Sequence, residues 1–182
     1  MEAMSKTADV DLSAALASAA AGDDIAFGRI VAAHQNEMYS ICVVICRDRP
    51  MAEEAVQAAW SIAWKKLGSV RQPERLRPWL ISVAVNEAKQ LIRKRRRRSE
   101  VEIAVDASQE RGGVDPATGV AGMDLRAAMQ RLDPDDRALL TMRYVFGFDA
   151  TELSTALGIS PAGTRQRLKR LLDVLRRDLD DG

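Results

Sequence analysis

The charge pattern in the middle of this 182-residue chain is the feature that most constrains its fold. Six consecutive cations, Arg93–Arg98, precede residues 99–124, which contain six acidic residues and one basic residue among glycines and a proline. A segment without an apolar period cannot contribute much to a packed core, so we expect a flexible acidic linker here. The sequence therefore predicts two small domains, at residues 1–98 and 123–182, joined by a linker at 99–122.

Both predicted domains carry the apolar period of helices. In the first, apolar residues recur three and four positions apart from Phe27 to Ile45, and further helices are expected over Met51–Lys66 and from Pro78 onward. Aromatic residues make up only 4% of the chain, which does not favour sheets. We predict an all-α fold of two helical domains.

Composition also argues against several classes of protein. Apolar stretches such as Ile41–Cys46 are far too short to span a bilayer, so we expect no membrane insertion. Two cysteines do not make a disulfide framework in a chain of this size, so we expect a reducing cytoplasm. Cys42 and Cys46 lie four apart in an apolar run, where two small buried residues are the expected arrangement. His34 is the only histidine. No catalytic, metal or cofactor-binding motif is recognisable, and we expect none.

The second domain has the pattern of a helix-turn-helix. Asp149 and Glu152 have capping-box spacing, Gly158 ends the first helix, and Ser160-Pro161 opens the second. In such a motif the second helix enters the major groove of DNA. Its polar side carries long donors that bond base edges or phosphates, namely Arg165, Gln166, Arg167, Lys169 and Arg170. We predict that this helix binds DNA, with a solvated basic face as the alternative.

The order of several motifs resembles a known family. The first domain resembles region 2 of the extracytoplasmic-function sigma factors, small bacterial specificity subunits of RNA polymerase. The second domain resembles region 4. The matching segments are Gly22–Phe27, Ala52–Trp60, Trp64, Arg77–Leu80, Val83–Asn86 with the arginine run, Leu132–Arg137, Arg143-Tyr144, Gly147 and Leu157–Ser160.

The resemblance implies partners and roles for particular residues. Implied partners are core RNA polymerase, through its β′ clamp helices and β flap, promoter DNA, and an anti-sigma protein as regulator. Glu53, Glu54 and Gln57 match the polymerase-binding helix. The −10 element would be bound by Asn86, Lys89, Gln90, Arg93 and Lys94, and the −35 element by Pro161, Thr164, Arg165, Gln166, Arg167, Lys169 and Arg170. The acidic linker would follow the RNA exit path of the polymerase.

The sequence departs from the family pattern in the recognition helix, where Gly163-Thr164 is displaced by one position. Two other functions remain open: a free-standing helix-turn-helix regulator, and a sigma mimic that titrates an anti-sigma protein. The net charge is only +1. This near-neutrality fits a subunit with weak DNA affinity of its own, which presents separated basic surfaces when polymerase holds it.

Overall fold

The computed structural model describes residues 13–102 and 120–180, and every regular element in those two ranges is helical. The described helices are α1 (residues 13–20), α2 (Asp24–Cys46), α3 (Arg49–Lys66), α4 (Leu76–Glu102), α5 (Val120–Arg131), α6 (Pro134–Tyr144), α7 (Ala150–Leu157) and α8 (Pro161–Asp180). Two short 3₁₀ turns, Leu67–Ser69 and Pro73–Arg75, connect α3 to α4. The all-α prediction is confirmed. The N-terminal tail and most of the predicted linker lie outside the described residues.

Polar side chains start the first long helices. The Asp23 carboxylate accepts hydrogen bonds from the backbone N–H groups of Ile25 and Ala26, and so caps α2. The Asp48 carboxylate accepts from the Met51 N–H at 2.9 Å, which caps α3. Pro50 therefore lies in the first turn of α3, where its missing N–H costs nothing.

The N-terminal half (residues 13–102) has a core made by α2, α3 and α4, which pack on one another. Small residues of α3 allow close helix approach, and larger residues from α2 and α4 fill the space between. Its fully buried residues include Ile30, Met38, Ile41, Ile45, Leu76, Leu80 and Ile81. Burial of such side chains contributes about 1.5–3 kcal/mol each, which outweighs the weak intrinsic preference of single helices.

The two cysteines belong to this core rather than to a redox or metal site. Cys42 is buried and Cys46 is half-buried, and both are free thiols. Burial raises the pKa of each thiol to about 12, which keeps both protonated at neutral pH. The prediction that they act as small apolar residues agrees with these positions.

The C-terminal half (residues 120–180) folds around α8, on which α5, α6 and α7 pack. Leu139, Met142, Phe148 and Leu153 are almost completely buried there. This half also contacts the other one, because α6 packs on α2 while α7 and α6 pack on α4. None of the described helices is long and apolar enough to cross a membrane.

The boundary between the halves differs from the prediction at both ends of the predicted linker. At the first end, α4 continues without a break through the cationic run to Glu102, which lies within the predicted linker. Similarly, α5 begins at Val120, which lies within the predicted linker. The linker itself stays a prediction.

Candidate nucleic-acid interface

The helix-turn-helix is built by local capping. The Asp149 carboxylate accepts from the N–H groups of Thr151 and Glu152, and the Glu152 carboxylate accepts from the Asp149 N–H at 2.9 Å. Gly158 ends α7 in the left-handed conformation, with φ at 68°. Residues with a side chain rarely adopt this conformation, so glycine is favoured here. The Ser160 hydroxyl accepts from the Gly163 N–H at 3.1 Å and caps α8. The predicted motif is confirmed in detail.

Packing divides α8 into two sides. Leu168, Leu171 and Leu175 are buried against the rest of the C-terminal half. Four polar residues of α8 are exposed on its other side and form what we call the α8 face: Arg165, Gln166, Lys169 and Arg170. Pro161 is also exposed, at the start of the helix. Within the described part of the chain, no hydrogen bond or ion pair engages the side chains of the α8 face.

Two further residues predicted to contact DNA lie elsewhere. Thr164 is 0% exposed, and its hydroxyl donates to the Ser160 carbonyl at 3.0 Å. Arg167 is half-buried and pairs with the Asp136 carboxylate of α6, with Asp133 as a second partner at 3.6 Å. Arg167 thus connects α8 to α6, whereas the hydrogen bond of Thr164 stays at the start of α8.

The ion pair of Arg167 lies at the start of α6. The Asp133 carboxylate accepts from the Asp136 N–H at 2.9 Å and caps this helix. Burial raises the pKa of Asp136, against the opposing effect of Arg167. For Asp133, burial has the largest single effect and acts upward, but the Asp136 N–H and Arg167 together leave its pKa below the ordinary value. Arg167 therefore compensates two carboxylates that converge where α8 meets α6.

On α4 the residues predicted to bind DNA share the outer side of the helix. We call Asn86, Lys89, Gln90, Arg93 and Lys94 the α4 face. Asn86, Gln90, Arg93 and Lys94 are exposed. Lys89 is not, because its side chain is only 12% exposed and its Nζ lies 2.6 Å from Oδ1 of Asp135 in the other half.

The cationic run extends this surface. Arg93, Lys94, Arg97 and Arg98 line an open depression of about 700 Å³ together with Glu87, Gln90 and Leu91. Arg95 instead turns toward the start of α3, where it pairs with Asp48 at 2.8 Å. Exposed guanidinium groups on one helix end can bind several phosphates at once. The α4 face therefore continues into a cationic surface.

The residues predicted to bind polymerase lie on a separate surface. Glu53, Glu54 and Gln57 are all exposed on α3. Ala52, Ala55 and Val56 of the same helix are buried, so the two sides of α3 have different roles. No group of three His, Cys, Asp or Glu side chains within residues 13–102 and 120–180 has the arrangement of a metal site.

Three arginines at the junction of the halves were given no contact from the sequence, although Arg77 and Arg137 lie in segments that match the family. Arg137 is buried, and donates from Nη2 to the Ile45 carbonyl at 2.7 Å. Arg47 donates to the Gln130 carbonyl at 3.0 Å. Arg77 pairs with Glu37 and donates to the Phe146 carbonyl at 3.1 Å. Their acceptors are backbone atoms far away in the sequence, for which the sequence holds no signal.

Comparison with known proteins agrees with this division into two regions. The family model for sigma-70 region 2 matches residues 30–98, and the family model for sigma-70 region 4 matches residues 122–173. The two family matches and the exposed cations define the chain as an all-helical, two-domain, DNA-binding transcription protein. The chain belongs to the sigma-70 family of RNA polymerase sigma factors, as an extracytoplasmic-function member with regions 2 and 4.

Individual relatives support the same family. The chain is 34% identical to a probable RNA polymerase sigma factor, RfaY, of Xanthomonas campestris over 95% of its own length, but it spans only 45% of that protein. It is 28% identical to the RNA polymerase sigma factor CarQ of Myxococcus xanthus, over 85% of this chain and 90% of CarQ. The chain is thus an alternative sigma factor, from a family that is not one of enzymes.

A solved structure has the same fold. It is the sigma factor RpoE of Bartonella quintana in complex with the anti-sigma factor NepR, with a TM-score of 0.71 and 21% sequence identity. The match covers 85% of this chain and 96% of that one. Both halves of the chain therefore have the fold of a sigma factor.

Proposed function

We propose that this chain binds core RNA polymerase and directs it to a restricted set of promoters. The α4 face would bind the −10 element, and the α8 face would bind the −35 element. The observation that carries this proposal is the presence of two cationic helix faces, one in each region that a sigma-70 model matches. Polymerase would be bound by Glu53, Glu54 and Gln57 on its β′ clamp helices, and by region 4 on its β flap.

At the −10 element the chain has to hold an unpaired base. Extruding a base costs a few kcal/mol, which base contacts and phosphate anchors must offset. Asn86 and Gln90 are exposed amides that can bond a base edge, while Arg93 and Lys94 extend toward the backbone. Lys89 would join them once its contact with Asp135 is broken.

At the −35 element the start of α8 would enter the major groove. Arg165 and Gln166 are placed to bond base edges, whereas Lys169 and Arg170 lie further along and suit phosphates. The burial of Thr164 and the ion pair of Arg167 favour a role in orienting α8, and their predicted contact with DNA stays a prediction.

The chemistry of RNA synthesis would come from the polymerase, which also supplies the magnesium. The chain itself would need no catalytic residue and no cofactor. Its place of action would be the cytoplasm, where core polymerase meets the chromosome.

An anti-sigma protein is a further proposed partner, supported by the complex of the similar Bartonella protein with NepR. An apolar cleft of about 480 Å³ lies at the junction of the two halves. Val44, Leu125 and Val145 are exposed apolar residues in this cleft, and Arg47 and Arg137 contribute cations. Such a surface suits an amphipathic helix that carries acidic residues.

Run-off transcription tests the proposed function. Core polymerase is assayed on a genomic promoter library with and without the chain. We expect transcripts that depend on the chain and start at a small set of sites. A complete absence of new transcripts would refute the proposal. Binding to duplex DNA without polymerase would then indicate a free-standing regulator, and binding only to an anti-sigma protein would indicate a sigma mimic.

A further inference from the structure

A buried cation without an acidic partner lies at the junction of the two halves. Arg137 is 6% exposed, and its guanidinium donates to the backbone carbonyls of Leu132 and Ile45. Within residues 13–102 and 120–180 no carboxylate forms an ion pair with it, and its buried Nε has no acceptor. Burying a charge without a counter-charge costs free energy, so this guanidinium is able to bind an anion.

A second arginine adds positive charge at the same place. Burial lowers the pKa of Arg137, and the neighbouring charge of Arg47 lowers it further. Arg47 donates to the Gln130 carbonyl at 3.0 Å, so this partner is also a neutral backbone atom. Asp48 is an acid on the same surface, but its carboxylate pairs with Arg95 at 2.8 Å. An anion bound to both arginines would therefore reduce the repulsion between them.

Both arginines line the apolar cleft at the junction, whose volume is about 480 Å³. Three exposed apolar residues form part of its wall, one in α2, one in α5 and one directly after α6: Val44 (37% exposed), Leu125 (46%) and Val145 (72%). A volume of about 300–1,000 Å³, a mainly apolar lining and a few polar groups are typical of sites for small molecules. The cleft therefore fits a molecule that has an apolar body and one anionic group.

We propose that this cleft binds a small amphipathic carboxylate, such as a fatty acid of about ten carbons. The carboxylate accepts hydrogen bonds from Arg137 and Arg47, and the alkyl chain covers Val44, Leu125 and Val145. Burial of the chain supplies most of the affinity, and the charge-assisted hydrogen bonds select an anion. The acidic helix of the proposed regulator would occupy the same cleft, so the two exclude each other. Binding of the carboxylate by the isolated chain does not rest on the proposed function.

The chemistry of the ligand is tested with the purified chain. Decanoate is titrated by calorimetry below its micelle concentration, and decanol and decylammonium serve as ligands of the same chain length. We expect decanoate to bind about tenfold more tightly than decanol, because only decanoate forms hydrogen bonds between opposite charges. Decylammonium should not bind detectably, because it brings a third positive charge to the two arginines. Equal affinities of decanoate and decanol would overturn the proposal.

Two pairs of variants locate the site. Val44→Trp fills the cleft and should weaken the binding of both decanoate and decanol about tenfold, whereas Ile25→Trp, at an exposed position of α2 outside the cleft, should change neither. Arg47→Gln should weaken decanoate about three- to tenfold and leave decanol unchanged. Arg29→Gln, at an exposed arginine of the same helix, is its matched control. Arg137 is kept, because its hydrogen bonds hold the backbone of both halves.

The controls separate this site from adsorption of decanoate to other cationic surfaces. Circular dichroism first shows that each variant is folded. Decanoate binding that Val44→Trp and Ile25→Trp change equally would overturn the proposal, and so would equal effects of Arg47→Gln and Arg29→Gln. Run-off transcription tests the proposed function separately. If the chain binds decanoate as expected but supports no run-off transcription, the proposed function fails and the site stands; transcription without decanoate binding would refute the site alone.

Discussion

The α4 face and the α8 face are both rows of polar and cationic residues on a helix, but they differ in their contacts with the rest of the protein. The α8 face has Arg165, Lys169 and Arg170 exposed, and no hydrogen bond or ion pair engages their side chains within residues 13–102 and 120–180. On the α4 face, Lys89 is paired with Asp135 of the other half. The α8 face is open to solvent, whereas the α4 face is open only in part.

The difference has a physical cause in where each helix lies. The apolar side of α8 packs entirely within the C-terminal half, so its polar side is left to solvent. By contrast, α4 packs on α2 and α3 and also receives α7 and α6 from the other half. The sequence of a helix shows which residues are polar, but it does not show which of them a second domain covers.

The largest effect is expected where α8 is attached to its domain. Arg167→Ala removes the cation from the largely buried Asp136 and should lower the free energy of unfolding by about 2–3 kcal/mol. Urea unfolding measures this loss. If Arg167 instead contacts bases, the variant will keep its stability and lose promoter selectivity.

The next largest effect is expected for an exposed residue of the α8 face, which does not hold α8 on its domain. Arg165→Ala should leave stability unchanged and weaken promoters that depend on the −35 element by about 1–3 kcal/mol, since one base contact is lost. Run-off transcription on promoters with intact and altered −35 elements measures it. Arg176→Ala, an exposed position further along α8, is the control. Equal losses of promoter activity in both variants would contradict the proposal that Arg165 contacts bases of the −35 element.

A pH experiment reports on the N-terminal half alone. Burial lowers the pKa of His34, so the folded chain keeps this imidazole neutral where the unfolded chain begins to take up a proton. Stability should therefore be complete above about pH 6.5 and fall as the pH drops below it, by at most about 1.4 kcal/mol per pH unit. Urea unfolding at pH 7.5 and 5.5 measures the slope. His34→Gln should remove this pH dependence of stability. A slope that persists in the variant would come from another titratable group.

The smallest effect concerns the contact between the cationic run and α3. Asp48→Ala removes both the cap of α3 and the partner of Arg95, and should lower stability by about 1 kcal/mol. Asp48→Asn keeps a capping oxygen and should restore most of the loss. Thermal unfolding of the two variants measures the difference. Equal losses would mean that the ion pair outweighs the cap.

Local signals made much of this fold predictable from the sequence. Several helices start or end through contacts between residues that are close in the sequence, and such contacts can be predicted from the sequence. Examples are the starts at Asp133-Pro134 and at Asp149 with Glu152, and the end at Gly158. The positions of the buried Thr164 and the half-buried Arg167 also had a signal, since they lie four residues before the buried Leu168 and Leu171. The pairing of Lys89 with Asp135 had none, because it depends on how two domains meet.

The continuity of α4 has a consequence for the geometry of binding. Asn86 and Arg98 lie on one unbroken helix, twelve residues and about 18 Å apart along its axis. That length corresponds to about five base-pair steps of duplex DNA. Under the proposed function, the length of this helix would therefore set the spacing between a base bound at Asn86 and a phosphate bound at Arg98.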